Sequence, residues 1–202
     1  MSKVVIQGNA SGTGNFTIAA PNSNTDRTFN LPDAAGTVLT TGNQSDFPAG
    51  SVLQVASTTT DGVLSTTTQG SPSTITNGVE VFSISFTPQR SNSILLAQTN
   101  SISIHEEANF GDIPWLALWD GSTFISANSG TWIYSLFSGP GLHGAYRTLN
   151  ESWTLTNSNT RTISVRAGIN AGSGTTYING NTYANYTGSS ARVSLTVWEI
   201  AQ

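Results

Sequence analysis

Cysteine is absent from the 202-residue sequence, and charged residues of both signs are scarce. Without cysteine, neither a disulfide bond nor a thiolate metal site can form. Only 9% of the residues are charged, and seven Lys and Arg against eleven Asp and Glu give a net charge of -4. Because nucleic-acid binding requires a basic surface, this balance argues against a nucleic-acid partner.

Long hydrophobic segments are also missing. No apolar run approaches the roughly 18 residues that a membrane-spanning helix needs. The N-terminal "MSKVVIQGN" lacks the apolar core and the small-residue cleavage site of a secretory signal. We therefore expect no membrane insertion. A polar surface without disulfides or a signal indicates a protein made in a cytoplasm and delivered by another route, of which assembly into a virus particle is one.

Small polar residues and glycine make up nearly half of the chain, with 27 Ser, 29 Thr, 18 Asn and 20 Gly. Thr favours pleated strands together with Val, Ile and the aromatic residues. Ser, Asn and Gly favour turns and side-chain bonds to the backbone. Since the low net charge argues against disorder, this composition predicts a folded, turn-rich, all-β protein.

Short strand-like runs recur every 10 to 15 residues, whereas no segment shows a sustained helical pattern. Regular short strands with turns between them are typical of a sandwich or a barrel. The number of runs after residue 50 favours a jelly-roll-like β-sandwich. The predicted strands are 52–57, 79–87, 93–104, 115–119, 123–126, 131–137, 146–155, 160–169, 175–178 and 192–200.

Alternation of apolar and polar residues predicts which side chains face the core. In "VEVFSISF" the two predicted faces are 79, 81, 83, 85 and 80, 82, 84, 86. "RTISVRAGI" and "RVSLTVWEI" each have one clear apolar face. The apolar face of "RVSLTVWEI" also includes an acidic residue. These two predicted faces are Ile163, Val165, Ala167 and Ile169, and Val193, Leu195, Val197 and Glu199.

The first 42 residues contain four short strand-like pieces, "KVVIQ", "NFTIAA", "RTFNL" and "GTVLTT". Each piece has only two or three apolar side chains, and about 40 residues rarely fold alone without disulfides, metal or oligomerisation. Because Pro21, Pro32 and Gly36 indicate defined turns, we predict a β stem that packs against copies of itself. The predicted stem contacts are Phe16, Ile18, Phe29, Leu31, Val38 and Leu39.

These features predict three parts of the chain. The stem for attachment and self-association covers 1–42, a hinge that contains "FPAG" covers 43–50, and a jelly-roll-like knob covers 51–202. The pattern by itself predicts an oligomer without fixing the number of copies.

Residues 4–42, "VVIQGNASGTGNFTIAAPNSNTDRTFNLPDAAGTVLTTG", resemble a module of tail-fibre and related virion-surface proteins of tailed bacteriophages. The remainder also resembles the domain that follows this module, with "AGSVLQVASTTT" at its start and "SLTVWEIAQ" at its end. It includes "FTPQRSNSILLAQTNSISI", which predicts a β-hairpin with Ser and Asn in the turn.

The resemblance implies a homotrimeric fibre on the virion surface, made in the host cytoplasm, that adsorbs to the host. It implies no catalysis, and we expect no cofactor and no resident metal. The N-terminal end would contact other virion proteins. The resemblance does not decide whether the protein is a tail fibre, or a head fibre or capsid decoration.

Ionisable residues are densest in "SIHEEANFGD", where His105, Glu106, Glu107 and Asp112 lie close in sequence. One His and three carboxylates could bind a cation or transfer protons. Neighbouring residues on a strand point to opposite faces, so we interpret this group mainly as a solvated loop.

Aromatic residues provide the candidate receptor contacts. Most are expected in the core, but Trp119 precedes an Asp-Gly pair that suits sugar binding, and "TTYINGNTYANYTGSS" has the composition of an adaptable recognition loop. The candidates are Trp119, Tyr177, Tyr183 and Tyr186.

Two further functions stay open beside the structural one. A carbohydrate-binding module for host recognition would share the fold and the candidate contacts. A glycan-degrading enzyme is disfavoured, because glycosidases need two carboxylates roughly 5 to 10 Å apart across a cleft and the acidic residues are mostly isolated.

Overall fold

The structure is a computed structural model, and it describes most of the knob and part of the N-terminal region. The chain divides into two compact units, Met1–Val38 and Leu39–Gln202. The predicted boundaries of the stem and hinge stay a prediction. The described residues are 8, 10–15, 17–19, 22–28, 30, 33, 35, 47–106, 113–129, 143–170, 175–179 and 192–202.

The second unit is all-β, which confirms the predicted fold class, and its twelve described strands form three antiparallel four-stranded sheets. The described ranges contain no helix that could span a lipid bilayer. The strands are β1 (Val52–Thr60), β2 (Leu64–Thr66), β3 (Val79–Phe86), β4 (Ile94–Thr99), β5 (Ile102–Glu106), β6 (Pro114–Asp120), β7 (Thr123–Ser129), β8 (His143–Arg147), β9 (Asn150–Thr154), β10 (Arg161–Ile169), β11 (Thr176–Ile178) and β12 (Val193–Ile200).

Two of the sheets are the halves of one long layer. Their strand orders are β1-β12-β4-β9 and β2-β11-β5-β8. At each position, the strand of one sheet and the strand of the other are consecutive in the chain, as β1 and β2 are. Backbone bonds join the strands near the junction, with Asn100 N donating to Ser194 O at 3.3 Å and Thr99 N to Leu149 O at 2.9 Å. We name the half that contains Val52, where β1 begins, the root half, and the other the distal half.

The short layer is the third sheet, ordered β3-β10-β6-β7. Counting each root and distal pair as one pass, the chain makes eight passes, ordered 1-8-3-6 in the long layer and 2-7-4-5 in the short layer. This is the strand order of a jelly roll.

The core lies between the two layers and receives apolar side chains from both. The predicted faces of β10 and β12 are confirmed, because every residue of both predicted sets is buried. Two Phe and several aliphatic side chains fill the space, and their burial stabilises the fold through the hydrophobic effect. Fully buried examples are Leu95, Ile102, Ile104, Leu116, Leu118, Ile163, Val165 and Leu195.

β3 departs from its predicted alternation because it carries a bulge opposite β10. Phe82 pairs with Val165 and Glu80 with Arg166, so Val81 is the extra residue. Val81 and Phe82 are therefore both buried. The prediction that 79 and 81 face away from 82, 84 and 86 is wrong, because the bulge resets the alternation.

The predicted hairpin of "FTPQRSNSILL" is also wrong. β3 pairs with β10 in the short layer, whereas β4 pairs with β12 and β9 in the long layer. The segment between them is a connection between layers, in which Asn92 adopts the left-handed conformation with a φ of 67°. β2 was not predicted, because its Thr-rich sequence gave little signal. The predicted strand 131–137 lies outside the described residues.

Candidate functional site

The N-terminal unit exposes every residue that the structure describes in it. Ile18, one of the six predicted stem contacts, is 76% exposed. An exposed apolar side chain of this kind gains no burial from its own chain. The other five predicted contacts, Phe16, Phe29, Leu31, Val38 and Leu39, lie outside the described residues.

Trp119 lies on the outer side of the short layer, in a small cluster with Trp115, Ala117 and Ala127. Its ring meets Phe124 edge-to-face with centroids 5.4 Å apart, and it is only 3% exposed. Among the described residues its Nε1 has no hydrogen-bond partner. The structure therefore places this receptor candidate in a packed cluster, where its face is occupied by other side chains.

Trp115 is covered by the segment between β2 and β3. Its Nε1 donates to Gly70 O at 3.0 Å, and the Arg166 guanidinium donates to Asn77 O at 3.1 Å and Gly78 O at 3.0 Å. Gly78 has a φ of 65°, and a Cβ built there would overlap Ala167 O and lie 2.6 Å from the Trp115 ring. The chain thus covers the part of its short layer around Trp115 with its own loop.

Tyr177, the next receptor candidate, lies on β11 in the distal half. It is half-buried and pairs with Ser65 of β2. Thr176 and Ile178 beside it are buried, so the Tyr177 side chain points outward from the long layer. Tyr183 and Tyr186 lie outside the described residues.

The acidic cluster is only partly described. His105 and Glu106 are in β5, whereas Glu107 and Asp112 lie outside the described residues. In the part of the chain that the structure describes, no group of three or more His, Asp or Glu side chains could hold a metal ion. The cation interpretation therefore stays an untested prediction.

Glu199 is the centre of a polar network in the root half. The sequence showed it only as an acidic residue on a predicted apolar face. It is fully buried and its carboxylate accepts hydrogen bonds from Gln54 Nε2 at 2.7 Å, Ser93 Oγ at 2.7 Å and Gln89 N at 2.8 Å. Arg90 N also donates to it at 3.2 Å. The network fixes the connection between β3 and β4 to the final strand.

Two arginines are partly buried at the sides of the sandwich. Arg161 Nη1 donates to Asp120 Oδ2 at 2.7 Å, in an ion pair whose side chains are 14% and 11% exposed. Trp153 Nε1 donates to the same oxygen at 3.1 Å. Burial lowers the pKa of the Arg147 guanidinium below its ordinary value.

The outer surface of the root half carries an apolar patch that the sequence analysis missed. A bulge at Leu53 leaves Val52 and Val55 on the same side, and each is 53% exposed. Directly opposite residues on neighbouring strands share a face. The residues of β12 and β4 that lie opposite these valines therefore add partly exposed apolar side chains to the same surface. We name this patch the root face, and it consists of Val52, Val55, Ile94, Leu96, Trp198 and Ile200.

No charged residue points outward from the four root-half strands, all of which the structure describes. Beside the root face, the outward positions carry only small or amide side chains, as the pairing register shows. These neutral polar positions are Ser57, Thr59, Gln98, Asn150, Ser152, Thr154, Ser194 and Thr196.

Comparison with known proteins gives no family. No family model matches the sequence, and no curated protein matches it. Solved structures show limited likeness. The dimeric latent PorU from Porphyromonas gingivalis is 12% identical with a TM-score of 0.38, and the match covers 76% of this chain and 14% of that one.

Two further likenesses are to infectious bursal disease virus. The Gt strain structure is 13% identical with a TM-score of 0.36, covering 74% of this chain and 38% of that one. The T=1 particles derived from the virus are 14% identical with a TM-score of 0.35, covering 82% and 41%. The chain thus spans well under half of each matched structure. All three TM-scores lie below 0.5.

Proposed function

We propose that this protein is a virion structural protein of a tailed bacteriophage, a short homotrimeric fibre with a β stem and a jelly-roll knob. The observation that carries the proposal is the contrast between the two units. The knob has a buried core of its own, whereas every described residue of Met1–Val38 is exposed. A segment of that size with apolar residues needs partners to bury them.

Other copies of the chain are the partners that the resemblance of residues 4–42 to phage fibre modules favours. In a trimer, the six stem contacts Phe16, Ile18, Phe29, Leu31, Val38 and Leu39 meet their symmetry mates near the threefold axis. The N-terminal end then binds other proteins of the tail or head, and the knob faces outward. This arrangement places the protein on the virion surface.

We propose no catalytic role. Two of the described carboxylates are used by the fold. Glu199 is fully buried among backbone and side-chain donors, and Asp120 is paired with Arg161. Neither is free to act as the acid or nucleophile of a glycosidase. A role in assembly or binding fits these assignments.

The knob is proposed to contact the host surface, with a glycan as one candidate ligand. The distal half lies at the opposite end of the long layer from Val52, where β1 begins, and it carries Tyr177 on its outer side. Tyrosine supplies a flat contact area at low cost in conformational entropy. Tyr183 and Tyr186 follow in the segment that joins β11 to β12.

The experiment that tests the proposal is labelling of purified phage particles with an antibody against the knob, followed by negative-stain electron microscopy. We expect label at the tail tips or over the head. A chain that lacks residues 1–45 is the matched comparison, because it should keep the knob epitope and lose attachment. Particles that carry no label with the full chain would contradict the proposal.

A further inference from the structure

The root face is an apolar surface that no described segment of its own chain covers. Its two valines, Val52 and Val55, are each 53% exposed. Trp198 pairs with Val55 on one side and with Leu96 on the other, so the apolar surface continues across β12 and β4. We infer that the root face packs against the root faces of two other copies of this chain. This inference rests on the proposed trimer and identifies the surface of the knob that takes part in it.

The outer side of the short layer gives a contrast, because its two tryptophans are covered. The outward residues Trp115 and Trp119 of the short layer are 1% and 3% exposed, because the chain folds a loop and Phe124 over that side. No described segment does the same for the root face. Contiguous apolar surface that is left open in this way marks an interaction site.

The absence of charge favours another copy as the occupant. All fourteen outward positions of the root half are neutral, as the register shows. Around a symmetry axis each side chain approaches its own mate, so any charge near that axis would meet a like charge. A nucleic acid or an acidic surface would instead select Lys and Arg. The root face, which has no charged side chain, meets this requirement for packing around a symmetry axis.

The length of chain between the predicted stem and the knob limits how far apart the three knobs of the proposed trimer can lie. Residues from Phe47 onward are held to the knob, since Gly50 N donates to Ala201 O at 2.8 Å and Arg90 Nη2 to Phe47 O at 3.3 Å. From residue 42, where the predicted stem ends, to Phe47 the chain can span at most roughly 18 Å. In the proposed trimer, stems on one axis would therefore hold the three knobs at an effective concentration in the millimolar range.

Site-specific cross-linking of the full chain tests the inference, because a sequence without cysteine allows single reporter thiols. We would introduce Val55→Cys in the root face. The matched control is Ser85→Cys, which is exposed on the outer side of the short layer. Ser85 lies near the root, because the following Thr87 O accepts a bond from Gln54 Nε2 at 2.7 Å. Both thiols therefore lie at the same end of the knob, so they differ in the face they occupy and not in the end at which they lie.

The expected result is a cross-linked dimer with a short bis-maleimide for V55C and none for S85C, with both variants trimeric by light scattering. A trimer in which V55C does not cross-link, or in which both variants do so equally, overturns the inference and leaves the fibre proposal standing. A monomer by light scattering overturns the fibre proposal as well.

A second measurement covers the case in which V55C perturbs the fold. In the full chain, V55K should increase amide hydrogen exchange in β1 and β12 relative to the unaltered protein, because lysines would separate the three root faces. S85K should leave that exchange unchanged. Equal exchange in V55K and the unaltered trimer also overturns the inference.

Discussion

The Ser93 hydroxyl donates a 2.7 Å hydrogen bond to the Glu199 carboxylate, and both residues are fully buried. Gln54 Nε2 and the backbone N–H groups of Gln89 and Arg90 complete the set of donors. An isolated carboxylate in a core would be costly. Here it accepts bonds from β1 and from the connection between the layers, so one acidic residue of β12 joins three parts of the chain.

Replacing Glu199 by Ala should therefore destabilise the knob strongly. The change removes the acceptor of the buried Ser93 hydroxyl and of several partly buried N–H groups, and we expect the free energy of unfolding to fall by about 3 kcal/mol or more. Urea denaturation followed by tryptophan fluorescence measures it. Glu80→Ala is the control, because Glu80 is an exposed acidic residue on a strand. Equal effects of the two changes would refute the structural role of Glu199.

The ion pair between Arg161 and Asp120 links the layers at one edge, since Trp153 of β9 donates to the same Asp120 oxygen. Asp120→Asn should lower the free energy of unfolding by about 1 to 2 kcal/mol, because the pair is mostly buried but Arg161 keeps bonds to Asn157. A double-mutant cycle with Arg161→Gln measures the coupling. A coupling energy of zero would show that the pair contributes nothing.

Gly78 should not tolerate a side chain. Its φ of 65° and its contact with Ala167 O and Trp115 leave no room for a Cβ, so Gly78→Ala should cost about 2 kcal/mol or more. Gly62→Ala is the control, since a Cβ there meets nothing within 4 Å. Thermal unfolding of both variants checks the prediction, which fails if their melting temperatures are the same.

Trp119 and Tyr177 should respond to truncation in opposite ways. Trp119→Ala empties a buried position and should cost about 3 to 5 kcal/mol, whatever the ligand. Tyr177→Ala removes a half-buried, outward side chain and should leave stability nearly unchanged while reducing adsorption to host cells. A binding assay on host cells with both variants separates the effects, and full adsorption by Tyr177→Ala would remove that residue from the receptor site.

The sequence predicted the strands with clear alternation well, because each such strand has one face in the core. Val193, Leu195, Val197 and Glu199 are the best example, with an acidic residue correctly placed inside. The jelly-roll class followed from the number and spacing of such runs. These properties are local, so they can be derived without knowing which strands pair.

Features that depend on pairing could not be predicted. The bulge at Val81 depends on β10, which lies about half the chain away in sequence. The supposed hairpin failed for the same reason, because β3 and β4 take their partners from the C-terminal part of the chain.

The root face also depends on pairing. Val55, Leu96 and Trp198 become neighbours only through the register of three strands. Alternation placed residues on two faces, but it could not show which outer face the chain covers with its own loop. Trp119 illustrates the covered case and Val55 the open one.

The measurement that tests the central proposal most directly is the mass of the full chain in dilute buffer, by size-exclusion chromatography with multi-angle light scattering. We predict three times the chain mass of 21.2 kDa, because the N-terminal unit exposes its described residues and needs other copies for burial. A stable monomer of 21.2 kDa would contradict the trimeric fibre.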